Sequence, residues 1–157
     1  MDWFKKVVFE NYANFSGRAR RKEYWMFMLF YVIFSLVLGL ISGLLGVVGS
    51  LLMVVWSLGL FIPTLAVTIR RFHDSGKSGW WYLASFAPIV PLSLFAYMSL
   101  TETSGGTMMG AWVLLVISIV ICLIPLIFLF LNSEPGANQW GPNPKDEAEH
   151  REMPPAL

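Results

Sequence analysis

The side chains in this sequence that could do chemistry are few and clustered. Arg18, Arg20, Arg21 and Lys22 lead up to a lone Glu23, and Arg70, Arg71 and Lys77 surround a lone Asp74. Guanidinium forks match the paired oxygens of carboxylates and phosphates, so the set has two uses. Glu23 and Asp74 can form structural ion pairs with one or two arginines and lock helix ends together. The surplus among Arg18, Arg20, Arg21, Arg70, Arg71 and Lys77 can meet anionic lipid headgroups, or hold a phosphate-bearing ligand selectively. His73-Asp74 suggests a metal or phosphohydrolase dyad. Such a site needs further ligands, and the other histidine, His150, lies in a tail of charges and prolines. Asp74 serves equally well as a turn or cap residue ahead of Ser75-Gly76. Ser75 and Ser78 lack the strand–turn–helix setting of a nucleophilic serine. The lone Cys122 excludes an internal disulfide or a cysteine-based metal cluster and reads as a small buried hydrophobe. No enzyme activity, catalytic residue, metal or cofactor is expected.

The elements that must position these groups are greasy. Hydrophobic residues make up 56% of the chain and charged residues only 13%, against about 25% charged in soluble domains. An ionised side chain at the centre of a membrane helix costs about 2.5–3.5 kcal/mol on insertion scales, which explains why the charges are confined to short segments. The uncharged run from Tyr24 to Ile69 is more than twice the roughly 20 residues that one helix needs to cross a bilayer. It must therefore hold two helices, with Gly43, Gly46, Gly49 and Ser50 as the available turn formers. Spans are expected near 24–42, 47–69, 80–100 and 110–131, with Arg70–Trp81 as a charged, turn-rich bridge between two hairpins. Prolines 63, 88, 91 and 125 fall inside these spans, as membrane helices tolerate. The apolar stretch is too long for a signal peptide. Ahead of the membrane domain (18–144), residues 1–17 put Trp3, Phe4, Val7, Val8, Tyr12 and Phe15 on one face and Lys5, Lys6, Glu10, Asn11 and Asn14 on the other. That pattern suits an amphipathic helix lying in the interface, or one packed on the protein's own surface. Residues 145–157 mix charge and proline with little to bury and are expected to be a disordered tail. The expected fold class is an all-α integral membrane protein of four transmembrane helices in two hairpins, with an N-terminal amphipathic interfacial helix.

Orientation follows from where lysine and arginine fall. Nine lie in the N-terminal segment and the bridge, and none in the two loops on the other side. Both termini and the bridge are thus expected to face the cytoplasm, with Trp25, Trp80, Trp81 and Trp140 as interfacial anchors. Ser35, Gly39 and Gly43 recur every four residues, which permits close helix approach in a homo-oligomer or within the chain. Secondary transporters place ionisable residues or broken helices near the midplane, and these spans carry no charge. An oligomeric transporter or channel component with uncharged walls remains as an alternative. Cations clustered beside a membrane do not call for nucleic acid.

Three blocks stand out in order: Phe15-Ser-Gly-Arg-Ala-Arg-Arg-Lys-Glu-Tyr-Trp25, Arg70-Arg-Phe-His-Asp-Ser-Gly-Lys-Ser-Gly-Trp-Trp81 and Gly136-Ala-Asn-Gln-Trp-Gly-Pro-Asn-Pro144. They resemble the signature blocks of the small bacterial inner-membrane proteins catalogued as domain of unknown function 805. Phe72, Lys77 and Trp140 depart mildly from that pattern, where leucine, arginine, and tyrosine or phenylalanine are usual. The resemblance covers about residues 1–144 and implies a four-helix protein of the bacterial cytoplasmic membrane. It implies no activity and carries over no catalytic residue. The expected role is structural or adaptor-like, with anionic lipid at the basic face.

Overall fold

A computed structural model of the chain describes residues 2–101 and 105–145. Glu102 of the polar loop and the tail expected to be disordered (all but Lys145) lie outside those residues. The described chain is helical, with one isolated β-bridge between Asn138 and Gly141. Helix α1 (Asp2–Lys5) runs into a π-helical turn (Lys6–Glu10), then α2 spans Arg21–Leu45 and α3 Val47–Asp74. The third crossing is divided into α4 (Trp81–Ala84) and α5 (Ile89–Leu100), and α6 spans Gly105–Phe130. Four stretches are long and apolar enough to cross a membrane: Arg21–Leu45, Val47–Asp74, Trp81–Met98 and Trp112–Phe130. Their outer faces stay apolar, with Leu44 88% and Val47 78% exposed. Lipid, not water, is the solvent such a surface fits.

A single residue turns the first hairpin. Gly46 holds φ 58° and ψ −126° between α2 and α3, a conformation open only to glycine at low cost. Three residues on, a Cβ at Gly49 would come within 2.4 Å of the Ser42 Cα, so glycine is what lets the two helices start in contact. Farther along, Trp56 on α3 donates its indole N–H to the Ser35 hydroxyl at 2.9 Å. Ser35 thereby serves packing within the chain, whereas Gly39 and Gly43 face open space.

Proline shapes both hairpins. Pro63 lies buried inside α3 and has no N–H for the Gly59 carbonyl. The Tyr12 hydroxyl donates to that oxygen at 2.7 Å, so the N-terminal segment repairs the helix it lies beside. In the third crossing, Pro88 cannot serve the Ala84 carbonyl, and the Ala87 N–H takes it at 3.1 Å instead. Neighbouring N–H groups of Ser85, Phe86 and Ile89 also bond three residues back, which is the tighter 3₁₀ pattern. The span expected as one helix over 80–100 is divided for this reason.

The amphipathic N-terminus packs on the bundle. Phe4 stacks on Phe27 of α2 at 5.6 Å and meets Phe34 at 6.0 Å, and Val7 is fully buried. Phe9 remains 77% exposed. The helix stops at Glu10, short of the Phe15 expected from the periodicity.

Candidate functional site

The segment expected as a bridge is not a loop at its start. Helix α3 continues to Asp74 and ends there, the Ser75 and Gly76 N–H groups bonding back to Phe72 and His73. Charge in the sequence marks where the helix leaves the membrane, not where it stops. The extra turn carries Arg70, Arg71, His73 and Asp74, all buried, into the space between the N-terminal segment and the residues after α6.

Asp74 is the hub. Its side chain has no exposed surface and accepts from Arg18 Nε at 3.1 Å, Arg71 Nη1 at 2.5 Å and Ser133 Oγ at 2.7 Å. Arg18 spends its remaining donors on main chain, Nη1 to the Gly136 carbonyl at 2.7 Å and Nη2 to the Glu134 carbonyl at 2.6 Å. Arg71 does the same at the end of α6, donating Nε to the Leu129 carbonyl at 3.2 Å and Nη2 to the Leu131 carbonyl. Those are the orphan carbonyls that every helix C-terminus leaves, and a cation there also meets the negative end of the helix dipole.

A second centre lies at Glu23, in the first turn of α2 and 1% exposed. It accepts from Lys6 Nζ at 2.9 Å and Arg70 Nη1 at 3.1 Å. Main chain joins the segments too: Ala19 N–H to the Arg70 carbonyl at 3.0 Å, and Glu134 N–H to the Asp74 carbonyl at 2.8 Å. The third block closes the cap. Asn138 donates its side-chain amide to the His73 carbonyl at 2.9 Å, while Asn138 and Gly141 exchange main-chain bonds in a tight loop. That loop lays Trp140 flat on the His73 ring, centroids 4.6 Å apart and planes 6° from parallel. The Gly17 carbonyl, which only accepts, lies 3.2 Å from His73 Nδ1, so the proton sits on Nδ1. Segments far apart in sequence (17–23, 70–74 and 131–141) thus form one folded cap.

One expectation changes in this geometry. Arg18, Arg70 and Arg71 were grouped as headgroup ligands, yet they are 8%, 3% and 0% exposed and turn inward to carboxylates and carbonyls. Main-chain oxygens take up donors of Arg18 and Arg71 that two carboxylates alone could not. Of the rest, Arg21 bonds the Asn132 amide oxygen at 2.7 Å, Lys77 lies 5.5 Å over the Phe128 ring, and Arg20 is half-buried. Trp140, expected as an interfacial anchor, also forms a wall of the cap. Trp25 packs on Phe130 at 4.5 Å and Trp81 on Phe128 at 5.0 Å, while Trp80 is 77% exposed.

Two hollows flank the His73–Trp140 stack. An apolar groove of about 410 Å³ runs past Phe15, Leu65, Ile69, His73, Trp80 and Leu83. On the other side a polar cavity of about 250 Å³ is walled by Lys6, Asn11, Asn14, Ser16, Arg70 and Trp140, among others. Arg70 itself has a deficit within the cap. Its Nε and Nη2 are buried without a hydrogen-bond partner in the protein, an omission worth about 1–3 kcal/mol for a neutral donor and more for a charged one. Among the described residues, no group of three or more His, Cys, Asp or Glu side chains is placed to hold a metal ion.

Comparison with known proteins matches residues 12–142 to a family described as "Protein of unknown function (DUF805)". The inner membrane protein YhaH of Escherichia coli K12 is 34% identical over 151 residues, covering 94% of this chain and 99% of the relative. The inner membrane protein YhaI of the same organism is 41% identical over 111 residues, covering 70% of this chain and 93% of the relative. No solved structure shows a significant match.

Proposed function

The chain belongs to the DUF805 family of membrane proteins, and from that premise we propose that it is a non-enzymatic scaffold of the cytoplasmic membrane whose capped end faces the cytoplasm and presents cations to anionic lipid. The observation that carries this reading is a division of labour among the cations. Arg18 and Arg71 are consumed inside the cap, and Arg70 is buried there with Nη1 on Glu23. Lys5 and Lys22 are exposed and Arg20 half-exposed beside them, with Lys22 Nζ 6.0 Å from the Trp3 ring. The buried set supplies rigidity, and the outer set supplies attraction. Each outer Lys or Arg gains about 1 kcal/mol at an anionic leaflet. The same excess of Lys and Arg favours keeping this end on the cytoplasmic side.

The reading is tested by melting the protein in nanodiscs of phosphatidylcholine with and without phosphatidylglycerol. The expected result is a higher Tm with the anionic lipid, and loss of at least half of that rise in an Arg20→Gln, Lys22→Gln variant. An equal rise in the variant would refute a role for these cations.

A further inference from the structure

We infer that the apolar groove between α3 and α4 holds one acyl chain of a membrane phospholipid as a discrete bound ligand. Such a site takes the lipid by its tail, so it is independent of the outer cations that meet headgroups.

Helix α3 supplies Leu65 and Ile69 to the groove, the start of the third crossing supplies Trp80, Tyr82 and Leu83, and Phe15 of the N-terminal segment borders it too. The third crossing leaves α3 soon afterwards: α4 touches α3, whereas α5 packs along α6. The space between is about 410 Å³, within the roughly 300–1,000 Å³ of small-ligand sites. A Cβ at Gly79 would come within 2.8 Å of the Ile69 Cγ2, so glycine lets the bridge lie directly against Ile69. Among the described residues, no Lys, Arg, Asp or Glu borders the groove. His73 does, but one face of its ring is covered by Trp140 and its Nδ1 is bonded to Gly17. An uncharged wall of this kind suits a hydrocarbon chain and offers no cation to a phosphate.

Depth decides between a lipid and a cytoplasmic partner. Gly59 and Arg70 lie on the same helix, and at about 1.5 Å per residue they are about 16 Å apart, roughly half the thickness of the hydrocarbon core. The Tyr12 hydroxyl reaches the Gly59 carbonyl, and a tyrosine side chain is much shorter than that distance. The main chain at Tyr12 therefore lies below the level of Arg70, toward the bilayer centre, and Phe15 follows it closely. Leu65, Ile69 and Leu83 belong to stretches apolar enough to cross the membrane. Leu83 is 55% exposed, and Phe61, one turn inward of Leu65 on the same side of α3, is 54% exposed. The groove is thus continuous with the lipid-facing surface, and a chain enters it sideways without leaving the bilayer. Close packing, not hydrophobic force, is what distinguishes such a groove from bulk lipid.

The test uses full-length protein in a neutral detergent, titrated with dioleoylphosphatidylcholine and read by native mass spectrometry. That lipid has no net charge, so the outer cations do not draw it in. Saturation at a single lipid per chain is expected. Glycerophosphocholine, the same headgroup without tails, should bind at least tenfold more weakly. Leu83→Trp fills the groove from an exposed position and should cut occupancy at least fivefold. Val90→Trp, on an exposed part of α5 outside the groove, should leave occupancy unchanged. Should Leu83→Trp fail to fold, Phe15→Ala removes part of the wall and should cut occupancy to the same degree. Three results would overturn the inference: lipids binding with no preferred number, a lipid-free dimer whose second copy covers the groove, or undiminished binding by a folded Leu83→Trp or Phe15→Ala protein. An equal loss in Val90→Trp would overturn it as well.

Discussion

Asp74 accepts three hydrogen bonds on a side chain with no contact with solvent, and two of its donors are arginines that are themselves buried. Charges so placed are held by their mutual arrangement, since each has lost its water. Removing one partner leaves the other uncompensated, at a typical cost of about 3–5 kcal/mol, whereas an exposed pair is worth at most about 1 kcal/mol. Asp74→Asn is therefore expected to lower the stability of the detergent-solubilised protein by several kcal/mol. Glu10→Gln, at an exposed position, should change it by less than about 0.5 kcal/mol. Comparison of the two melts checks this. At this scale the sequence disclosed that Glu23 and Asp74 were the scarce partners, because acids inside basic blocks are visible by type alone. It did not disclose who their partners were. Nor could it show that Arg71 would bond the carbonyls closing α6, since a main-chain acceptor has no letter of its own.

Among the elements, α3 shows how a distant segment can be required by one residue. Pro63 removes a hydrogen bond from the middle of the helix, and the Tyr12 hydroxyl supplies the Gly59 carbonyl with another donor. If that is the role of the hydroxyl, its value depends on the proline. Tyr12→Phe should cost about 1 kcal/mol in the native background, and less than half of that when Pro63→Ala restores the helical N–H. A double-mutant cycle on melting free energies measures the difference, and equal costs in both backgrounds would assign Tyr12 another role. The four crossings themselves were legible, because long uncharged runs have few alternatives in a membrane protein. Their ends were less so. Arg70–Asp74 read as a loop because charge and turn residues follow one another there, yet a helix continues readily once outside the membrane. The division between α4 and α5 was foreshadowed by Pro88 and Pro91, but proline alone does not say whether a helix kinks or breaks.

Seen whole, the molecule is four lipid-facing crossings joined at one end by a cap built from the N-terminal segment, the end of α3 and the residues after α6. Arg18 embodies this: one side chain reaches Asp74 after α3 and the Glu134 and Gly136 carbonyls after α6. The central claim is that the segments around residues 17, 74 and 140 share one face of the membrane, the cytoplasmic one, with the Gly46 turn on the other. Impermeant maleimide labelling tests it most directly, in a Cys122→Ser background carrying a single cysteine at Ala13, Ser78, Pro142 or Val47, all exposed positions. The account predicts that the first three label from the outside only in inverted membrane vesicles, and that Val47→Cys labels only in right-side-out ones. Labelling of any of the first three from the same face as Val47→Cys would contradict it.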